Sequence, residues 1–258
     1  MITWDPSPAI FSWHLPLLNR PILWYGAFFA LGFFLAYAGF VKLVTRKVAD
    51  QISSYILVGT VIGARLFDVL FYEKGWHVLA IFRFWESGLS SHGAVIGLIL
   101  AVCFYQRKYR QFTLLQLLDR LSIVAGVAAA CIRIGNFFNQ EILGTLSTLP
   151  WAVMFGHPAD GSFPAPRHPV QLYEALYYLL IFGVMWRLRK QLNTWREGRL
   201  CGLFLTLIFG FRLVIEVVKE EQSLWNPLFL TMGQWLTLPF LVFGLFLLLR
   251  RARFALLR

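Results

Sequence analysis

The feature that most constrains this chain is a series of apolar runs, each long enough to cross a lipid bilayer. A helix needs roughly 20 predominantly apolar residues to span the hydrocarbon core. Seven runs meet this requirement, at about 21–41, 52–72, 88–106, 112–133, 169–186, 200–218 and 229–249. They predict an all-α integral membrane protein, a bundle of seven transmembrane helices forming one membrane domain over residues 1–258.

Composition and charge agree with a bilayer as the surroundings of the chain. Charged residues make up 14% and apolar residues 58% of the sequence, whereas soluble domains have roughly 25% charged residues. The net charge of +11 does not indicate nucleic acid, because the basic residues lie between the apolar runs and not on one soluble face. The three cysteines, Cys103, Cys131 and Cys201, fall within or at the ends of predicted spans and form no metal-binding or disulfide pattern.

The distribution of lysine and arginine predicts the orientation of the bundle. When alternate connections are grouped, 15 of the 24 basic residues fall on one side, five on the other and four inside spans. The first side carries Lys42, Arg46, Lys47, Arg107, Lys108, Arg110, Arg187, Arg189, Lys190, Arg196, Arg199, Arg250, Arg251, Arg253 and Arg258. The second side carries Arg20, Lys74, Arg83, Arg167 and Lys219. The N-terminus is therefore expected outside and the C-terminus in the cytoplasm.

The N-terminal segment and the longest outer connection carry two further expectations. The N-terminus lacks the basic region of a cleavable signal peptide, so the first apolar segment is expected to target the chain and to remain in it. The longest non-cytoplasmic connection, about 134–168, is rich in proline and glycine and predicts a small irregular extracytoplasmic head. Its WAVMF stretch favours a short strand.

Polar residues are concentrated where the fourth span ends, in the stretch CIRIGNFFNQEILG at 131–144. An ionisable residue at the centre of a span costs roughly 2.5–3.5 kcal/mol, so it usually faces the interior or a site. The spacing of Arg133, Asn136, Asn139 and Glu141 clusters them over one or two helical turns. The simpler alternative is a snorkelling arginine followed by a polar cap.

A second intramembrane arginine lies in the sixth span. Arg212 and Glu216 are four residues apart in FGFRLVIEVV, so an intrahelical ion pair is the structural alternative here. A guanidinium presents a planar fork that suits phosphate oxygens. If Arg133 and Arg212 converge, they form a pocket for an anion, which can be a phospholipid head group or a transported solute.

Two further positions are candidates at the outer ends of spans. His92, in SGLSSHGAVIG, is a candidate general base because an unperturbed histidine titrates near pH 6.5; a capped helix start with an interfacial histidine is the alternative. Gly93 and Gly97 after it form a GxxxG pair that permits close helix packing. Tyr25 is either an interfacial aromatic anchor or a hydroxyl of the site.

Two polar pairs have a structural interpretation beside the functional one. Gln171 and Glu174 share a face at the start of the fifth span, where an acidic first turn is the alternative to a functional position. Arg65 and Asp68 are three residues apart in the second span and are expected to neutralise each other.

Seven stretches of the chain resemble the bacterial phosphatidylglycerol–prolipoprotein diacylglyceryl transferases. They are WYG (24–26), GARLFDVLFY (63–72), SSHGAVIG (90–97), RIGNFFNQEILG (133–144), LPWAVMF (149–155), RHPVQLYEA (167–175) and FRLVIE (211–216). They occur in the family's order over roughly residues 24–220, and RIGNFFNQEILG together with RHPVQLYEA is highly specific. The family fold is likewise a seven-span bundle with a small outer head.

The resemblance implies an enzyme of lipoprotein maturation in the bacterial cytoplasmic (inner) membrane. It would transfer the diacylglyceryl group of phosphatidylglycerol to the thiol of the lipobox cysteine in a preprolipoprotein, as the first step of maturation. A thioether forms and glycerol phosphate leaves. No metal or organic cofactor is expected, and the partners are the lipid, the signal peptide and the bilayer.

The resemblance and the chemistry together assign roles to the candidates. His92 is the expected general base, and Arg133 and Arg212 are expected to hold the departing phosphate. The expected substrate-binding residues are Tyr25, Asn136, Asn139, Glu141, Gly144 and Glu216. The sequence departs from the family pattern at Ile132 and Gln140, where many members have glycine, and in VVKEEQ after Glu216.

Two other classes of function remain open at this stage. A transporter or flippase for an anion would use the same arginines, but such folds often show inverted repeats and paired broken helices, which the sequence lacks. A non-catalytic scaffold or lipid-binding subunit would explain the departures at Ile132 and Gln140. It would not require His92, Arg133 and Arg212 together.

Overall fold

The computed structural model describes residues 2–14, 21–71, 91–220 and 230–250, which are predominantly helical. The described residues form the helices α1 (Trp24–Phe40), α2 (Arg46–Phe71), α3 (Ser91–Tyr109), α4 (Leu114–Phe138), α5 (Val170–Leu188), α6 (Arg199–Ile215) and α7 (Met232–Leu249). Each coincides with one of the seven apolar runs, so the mainly helical class is confirmed. Helix α4 continues five residues beyond the expected end of the fourth span.

The helices differ in their ability to cross a bilayer. Among the described residues, Leu114–Phe138 and Arg199–Val218 are long and apolar enough to do so by length and composition. The shorter helices Trp24–Phe40 and Gly233–Leu249 are also apolar. The arrangement as seven membrane spans therefore stays a prediction.

Within the described ranges, five short strands accompany the helices: β1 (Ile2–Trp4), β2 (Ala9–His14), β3 (Pro21–Leu23), β4 (Val153–Phe155) and β5 (Pro166–Arg167). β1 lies parallel to β4, and β5 lies antiparallel to β4 on its other side. β2 and β3 form a separate antiparallel pair. The expected strand within WAVMF is β4.

A small apolar core joins the three-stranded sheet to the end of α4. Its buried side chains are Phe137, Leu143, Val153 and Phe155. Trp4 of β1 packs its ring 4.6 Å from that of Phe137, and its indole N–H donates to the Phe137 carbonyl oxygen over 3.1 Å. This core fixes the position at which α4 ends, and therefore the position of the polar stretch that follows.

The described chain divides into two compact units, residues 1–39 with 119–258, and residues 40–118. In the second unit, glycines allow α2 and α3 to approach closely. A Cβ atom added to Gly97 would clash with the Gly59 carbonyl oxygen and lie 3.0 Å from Gly63 Cα. The close packing expected of the GxxxG pair is confirmed. Arg65 of α2 is fully buried, and the side chain of Asp68 lies outside the described residues.

In the first unit, a buried carboxylate of α4 holds the start of α6. Asp119 accepts hydrogen bonds from the backbone N–H groups of Gly198, at 2.6 Å, and Cys201, at 2.8 Å. These amides have no partner within the helix, and a carboxylate at a helix N-terminus is favourable. Fixing this end of α6 also fixes its far end, where Arg212 lies.

Candidate functional site

The candidate site lies in the first unit, where the end of α4, the start of α5 and the end of α6 meet. Its centre is an ion pair between Arg133 Nε and Glu174 Oε2, 2.9 Å apart. The Glu174 side chain is completely buried and that of Arg133 is 12% exposed. One turn further along α5, the Tyr178 hydroxyl donates to Glu174 Oε1 over 3.3 Å. A buried carboxylate needs such partners, because an unpaired buried charge is strongly destabilising.

A chain of side-chain hydrogen bonds continues from this pair through the end of α4. Arg133 Nη1 donates to Asn136 Oδ1 over 3.3 Å. The amide nitrogens of Asn136 and Asn139 each donate to one oxygen of Glu141, both over 2.9 Å. The clustering predicted from their spacing is therefore seen, and each of these residues has a polar partner.

The backbone after α4 turns the Glu141 carboxylate back towards the helix. The flanking residues Gln140 and Ile142 have φ values of 53° and 56°, in the left-handed region that non-glycine residues seldom adopt. Gln171 of α5 stabilises the turn by donating to the Glu141 carbonyl oxygen over 2.7 Å. Gln140, which departs from the glycine expected at this point of the sequence, thus occupies a position with positive φ.

The second arginine approaches the same region from α6. The fields of both Arg133 and Arg212 act on the Tyr178 hydroxyl. In the part of the chain that the structure describes, Arg133 is engaged by Glu174, whereas no hydrogen bond or ion pair involves the Arg212 guanidinium. The Arg212 guanidinium thus acts on the same hydroxyl as Arg133, and the convergence of the two guanidinium groups on one ligand stays a prediction.

Glu216 follows the last turn of α6 and pairs with Lys219, not with Arg212. Its Oε2 atom is 3.5 Å from Lys219 Nζ, and both side chains are largely buried. The α-helix ends at Ile215 and a 3₁₀ turn follows over Glu216–Val218, a geometry in which residues three apart, such as Glu216 and Lys219, lie on the same side. The carboxylate rests against Gly233 of α7, where a Cβ atom would overlap it.

Gly144 closes the polar stretch by joining two other segments. It forms an antiparallel bridge with Lys219, flanked by a hydrogen bond from Thr145 N–H to the Val218 carbonyl oxygen over 2.9 Å. On its other side, a Cβ atom would lie 2.7 Å from His168 Cβ and closer still to the His168 carbonyl oxygen. Only glycine fits this position without a shift in the backbone.

Arg167, beside the start of α5, supports this junction. Its Nη1 atom donates to the Gly144 carbonyl oxygen over 3.2 Å and pairs with Glu220 Oε2 at 2.5 Å. Neither Arg167 nor Lys219 was predicted from the sequence to be a site residue. Both could have been selected from their positions, because Arg167 opens the RHPVQLYEA stretch and Lys219 lies in the stretch after Glu216.

Tyr25 and His92 differ in what the structure establishes. Tyr25 of α1 packs on Gly135 of α4, where a Cβ atom would lie 3.2 Å from Tyr25 Cα, and the fields of Glu141 and Arg133 act on its hydroxyl. His92 is the second residue of α3, in the other compact unit, and its side chain lies outside the described residues. The structure therefore brings Tyr25 to the site and does not place the His92 imidazole.

The chemistry of the arrangement suits a phosphate ester. Guanidinium groups provide charge-assisted donors to phosphate oxygens, while amides and carboxylates can bind hydroxyl groups. The described residues contain no group of three or more His, Cys, Asp or Glu side chains arranged to hold a metal ion.

Comparison with known proteins identifies the family of the chain. Residues 12–250 match the family model for prolipoprotein diacylglyceryl transferase. The chain is similar to phosphatidylglycerol–prolipoprotein diacylglyceryl transferases of Porphyromonas gingivalis (38% identity; 98% of this chain, 95% of the relative) and Tolumonas auensis (37%; 98% of each). It is also 44% identical to that of Protochlamydia amoebophila over 81% of this chain, a match that spans 59% of the relative. The chain therefore belongs to the prolipoprotein diacylglyceryl transferase family.

Proposed function

We propose that this protein transfers the diacylglyceryl group of phosphatidylglycerol to the cysteine thiol of a prolipoprotein. The observation that carries the proposal is the match of residues 12–250 to this family, together with the buried pairing of Arg133 with Glu174 at the candidate site. The acceptor is the lipobox cysteine of the signal peptide, and the products are a thioether and glycerol phosphate. This is the first step of bacterial lipoprotein maturation.

Binding of the lipid head group is the first task of the site. Arg212 binds the phosphodiester, because its guanidinium presents a planar fork of donors that suits phosphate oxygens. Arg133 adds a second positive charge in an orientation fixed by Glu174. Asn136, Asn139, Glu141 and Glu216 surround the glycerol hydroxyls, Tyr25 donates a hydrogen bond, and Gly144 maintains the backbone geometry.

The chemical step is displacement at the glyceryl carbon. The cysteine sulfur forms a bond to that carbon as the carbon–oxygen bond to phosphate breaks, and the electron pair of the broken bond leaves with glycerol phosphate. Negative charge accumulates on the departing oxygen, and preorganised cations at that position are often the largest contribution to rate.

The thiol proton must be removed, because the thiolate is the competent nucleophile and a free thiol has a pKa near 8.5. We assign this task to His92, which as a general base contributes roughly 10²–10⁴-fold. The assignment is supported by its place in SSHGAVIG. Replacement by alanine with near-normal turnover would refute it.

The membrane arrangement belongs to the same proposal. All seven helices span the bacterial cytoplasmic (inner) membrane, with the N-terminus and the head outside and the C-terminus in the cytoplasm. The apolar helices and the asymmetry of basic residues support this placement. The site then lies near the outer leaflet, where an exported signal peptide can reach it.

The test is a mass shift of a peptide. The purified protein is incubated in detergent with phosphatidylglycerol and a synthetic lipobox peptide, and Arg133→Ala is the control. We expect the peptide to gain one diacylglyceryl mass with release of glycerol phosphate, and the control to lose at least about 10²-fold in rate. An unmodified peptide, from folded protein that binds the lipid, would contradict the proposal and favour a lipid-binding scaffold.

A further inference from the structure

A second cationic cleft lies at the other end of the α6–α7 pair from the candidate site. It encloses about 590 Å³ and is lined mainly by Trp195, Arg196, Arg199, Leu248, Leu249 and Arg250. These residues lie at the start of α6 and the end of α7. The 13 residues from Arg199 to Arg212 span about 20 Å at 1.5 Å per residue, so one head group cannot occupy both sites.

The cleft is a built feature, because its arginines are held by backbone groups. Arg196 Nη2 donates to the Leu247 carbonyl oxygen, and Arg250 Nη2 donates to the Glu197 carbonyl oxygen over 2.5 Å. The two bonds connect the segment before α6 with the end of α7 in both directions. The acceptor in each bond is a neutral backbone carbonyl, so these two bonds orient the guanidinium groups without neutralising them.

The third arginine is oriented by an aromatic ring. The guanidinium carbon of Arg199 lies 4.5 Å from the centre of the Trp195 ring. Stacking of this kind leaves the edge of the guanidinium, which carries its N–H donors, free to face an anion. Trp195 also supplies an apolar surface next to those donors.

The three cations lie close enough to oppose one another. Burial lowers the pKa of the Arg196 guanidinium, and the neighbouring charges of Arg250 and Arg199 lower it further. The Asp119 carboxylate acts in the opposite direction, but its oxygens accept hydrogen bonds from the amides of Gly198 and Cys201. An anion between the arginines would relieve this repulsion.

We propose that this cleft binds the phosphate group of an anionic phospholipid from the cytoplasmic leaflet. Its three arginines match a phosphodiester, and Trp195, Leu248 and Leu249 match the glycerol and the first acyl carbons. The cleft is on the side of the chain where basic residues accumulate, and basic pockets between helices on that side suit anionic head groups. A free phosphate ion shares the phosphate chemistry but not the apolar contacts.

Such a lipid would act on the α6–α7 junction and not on the reaction itself. It would join the start of α6 to the end of α7 and so stabilise the helix that carries Arg212 at its far end. A ligand that binds only the folded protein raises the melting temperature of that protein by mass action.

The experiment measures bound lipid and melting temperature on the Arg133→Ala background, which weakens lipid binding at the candidate site. The variant Arg199→Gln/Arg250→Gln is compared with Arg189→Gln. Arg189 is a matched control because its guanidinium carbon also lies 4.5 Å from a tryptophan ring, that of Trp186, away from the cleft. Each protein is titrated with phosphatidylglycerol, phosphatidylcholine and inorganic phosphate.

We expect phosphatidylglycerol to raise the melting temperature of the Arg133→Ala parent and of the Arg189→Gln variant. In the double variant its affinity should fall about tenfold or more, and one retained lipid should be lost in native mass spectrometry. In the absence of lipid, the double variant should keep the circular dichroism spectrum of the Arg133→Ala parent, showing that it is folded.

Three results would overturn the proposal. Equal retention of phosphatidylglycerol by all variants would mean that the cleft holds no lipid. An equal loss of phosphatidylcholine would mean that the arginines do not select an anion. A shift by inorganic phosphate as large as that by lipid, abolished in the double variant, would identify a soluble anion as the ligand. None of these three measurements depends on the transferase reaction. Failure of this proposal can therefore be distinguished from failure of the proposed function.

Discussion

At the scale of single residues, Glu174 determines how Arg133 can act. It neutralises the arginine through Nε, which leaves the outer nitrogens of the guanidinium directed elsewhere. One of these donates to Asn136, and through it the arginine connects to Glu141. The orientation of the cation is therefore set before any lipid arrives, and preorganisation of this kind is what makes a charge effective in catalysis.

Replacing Glu174 by glutamine tests this positioning. The amide keeps the size of the side chain but loses the charge that fixes the guanidinium, so we expect kcat to fall about tenfold or more with a smaller change in KM. Steady-state rates with the lipobox peptide measure both. Tyr178→Phe is the matched control, since it removes only the hydroxyl that donates to Glu174. Equal rates for Glu174→Gln and wild type would show that the ion pair is only structural.

The site could be predicted from the sequence only where its residues are close in the chain. Arg133, Asn136, Asn139 and Glu141 share one helix end, so their spacing alone indicates a cluster. Lys219 was not selected, because its contact with Glu216 depends on the 3₁₀ turn that ends α6. Glu174 was recognised as a candidate without its partner, since the rotation of α5 relative to α4 is fixed by packing and not by local pattern.

At the scale of elements, the α2–α3 contact relies on the absence of side chains. Gly97→Ala would place a methyl group against the backbone of Gly59, and overpacking of this kind costs about 1–3 kcal/mol. We expect a lower melting temperature in detergent, followed by fluorescence or circular dichroism. The control is Gly183→Ala in α5, where no described atom lies within 4 Å of an added Cβ. The melting temperature of the Gly183→Ala variant should equal or slightly exceed that of wild type. A Gly97→Ala protein with the melting temperature of wild type would contradict the close packing.

The helices followed from the sequence more directly than the strands. A run of about 20 apolar residues specifies a helix by itself, because a membrane leaves no other way to satisfy the backbone. The pairing of β1 with β4 could not be anticipated, since it joins residues about 150 positions apart and each strand has only three residues. The β4 segment alone carried a local strand pattern.

An ion pair next to this sheet predicts a dependence on pH. His157 Nδ1 lies 2.5 Å from Asp5 Oδ1, and this hydrogen bond holds the pKa of the Asp5 carboxyl below its ordinary value of 3.8. Gln140 also donates to the same oxygen. A lowered carboxyl pKa contributes stability above the unfolded pKa, and that contribution is lost as the pH falls through the folded pKa.

We therefore expect β1 to lose protection from hydrogen exchange as the pH falls below about 4. Peptide-level exchange, corrected for the intrinsic rate at each pH, measures this loss. Asp5→Asn should show weaker protection at neutral pH and a flatter profile. Asp160→Asn is the control, because Asp160 accepts from the Ser162 amide and not from His157. A wild-type profile as flat as that of Asp5→Asn would contradict the contribution of this pair.

At the scale of the whole molecule, the proposed orientation can be measured in intact cells. Asp160 and Asn193 are both exposed, the first in the head and the second in the connection between α5 and α6. The native cysteines are first replaced, and the outer cell layers are made permeable so that a membrane-impermeant maleimide reaches the inner membrane from outside. Asp160→Cys should then react in intact cells, whereas Asn193→Cys should react only after lysis. Reversal of the two results would reverse the topology, and labelling of both would contradict the separation by a membrane.

The parallel pairing of β1 with β4 also has a consequence for biogenesis. The first strand leaves the ribosome about 150 residues before its neighbour, and at 5–20 residues per second it waits roughly 8–30 s for that neighbour to be synthesised. During that interval α1 to α4 are synthesised while the edge of the sheet is incomplete. The sheet can therefore form only after translation has passed β4, so under the proposed topology an arrest of translation before that point should leave the N-terminal strand open to external protease.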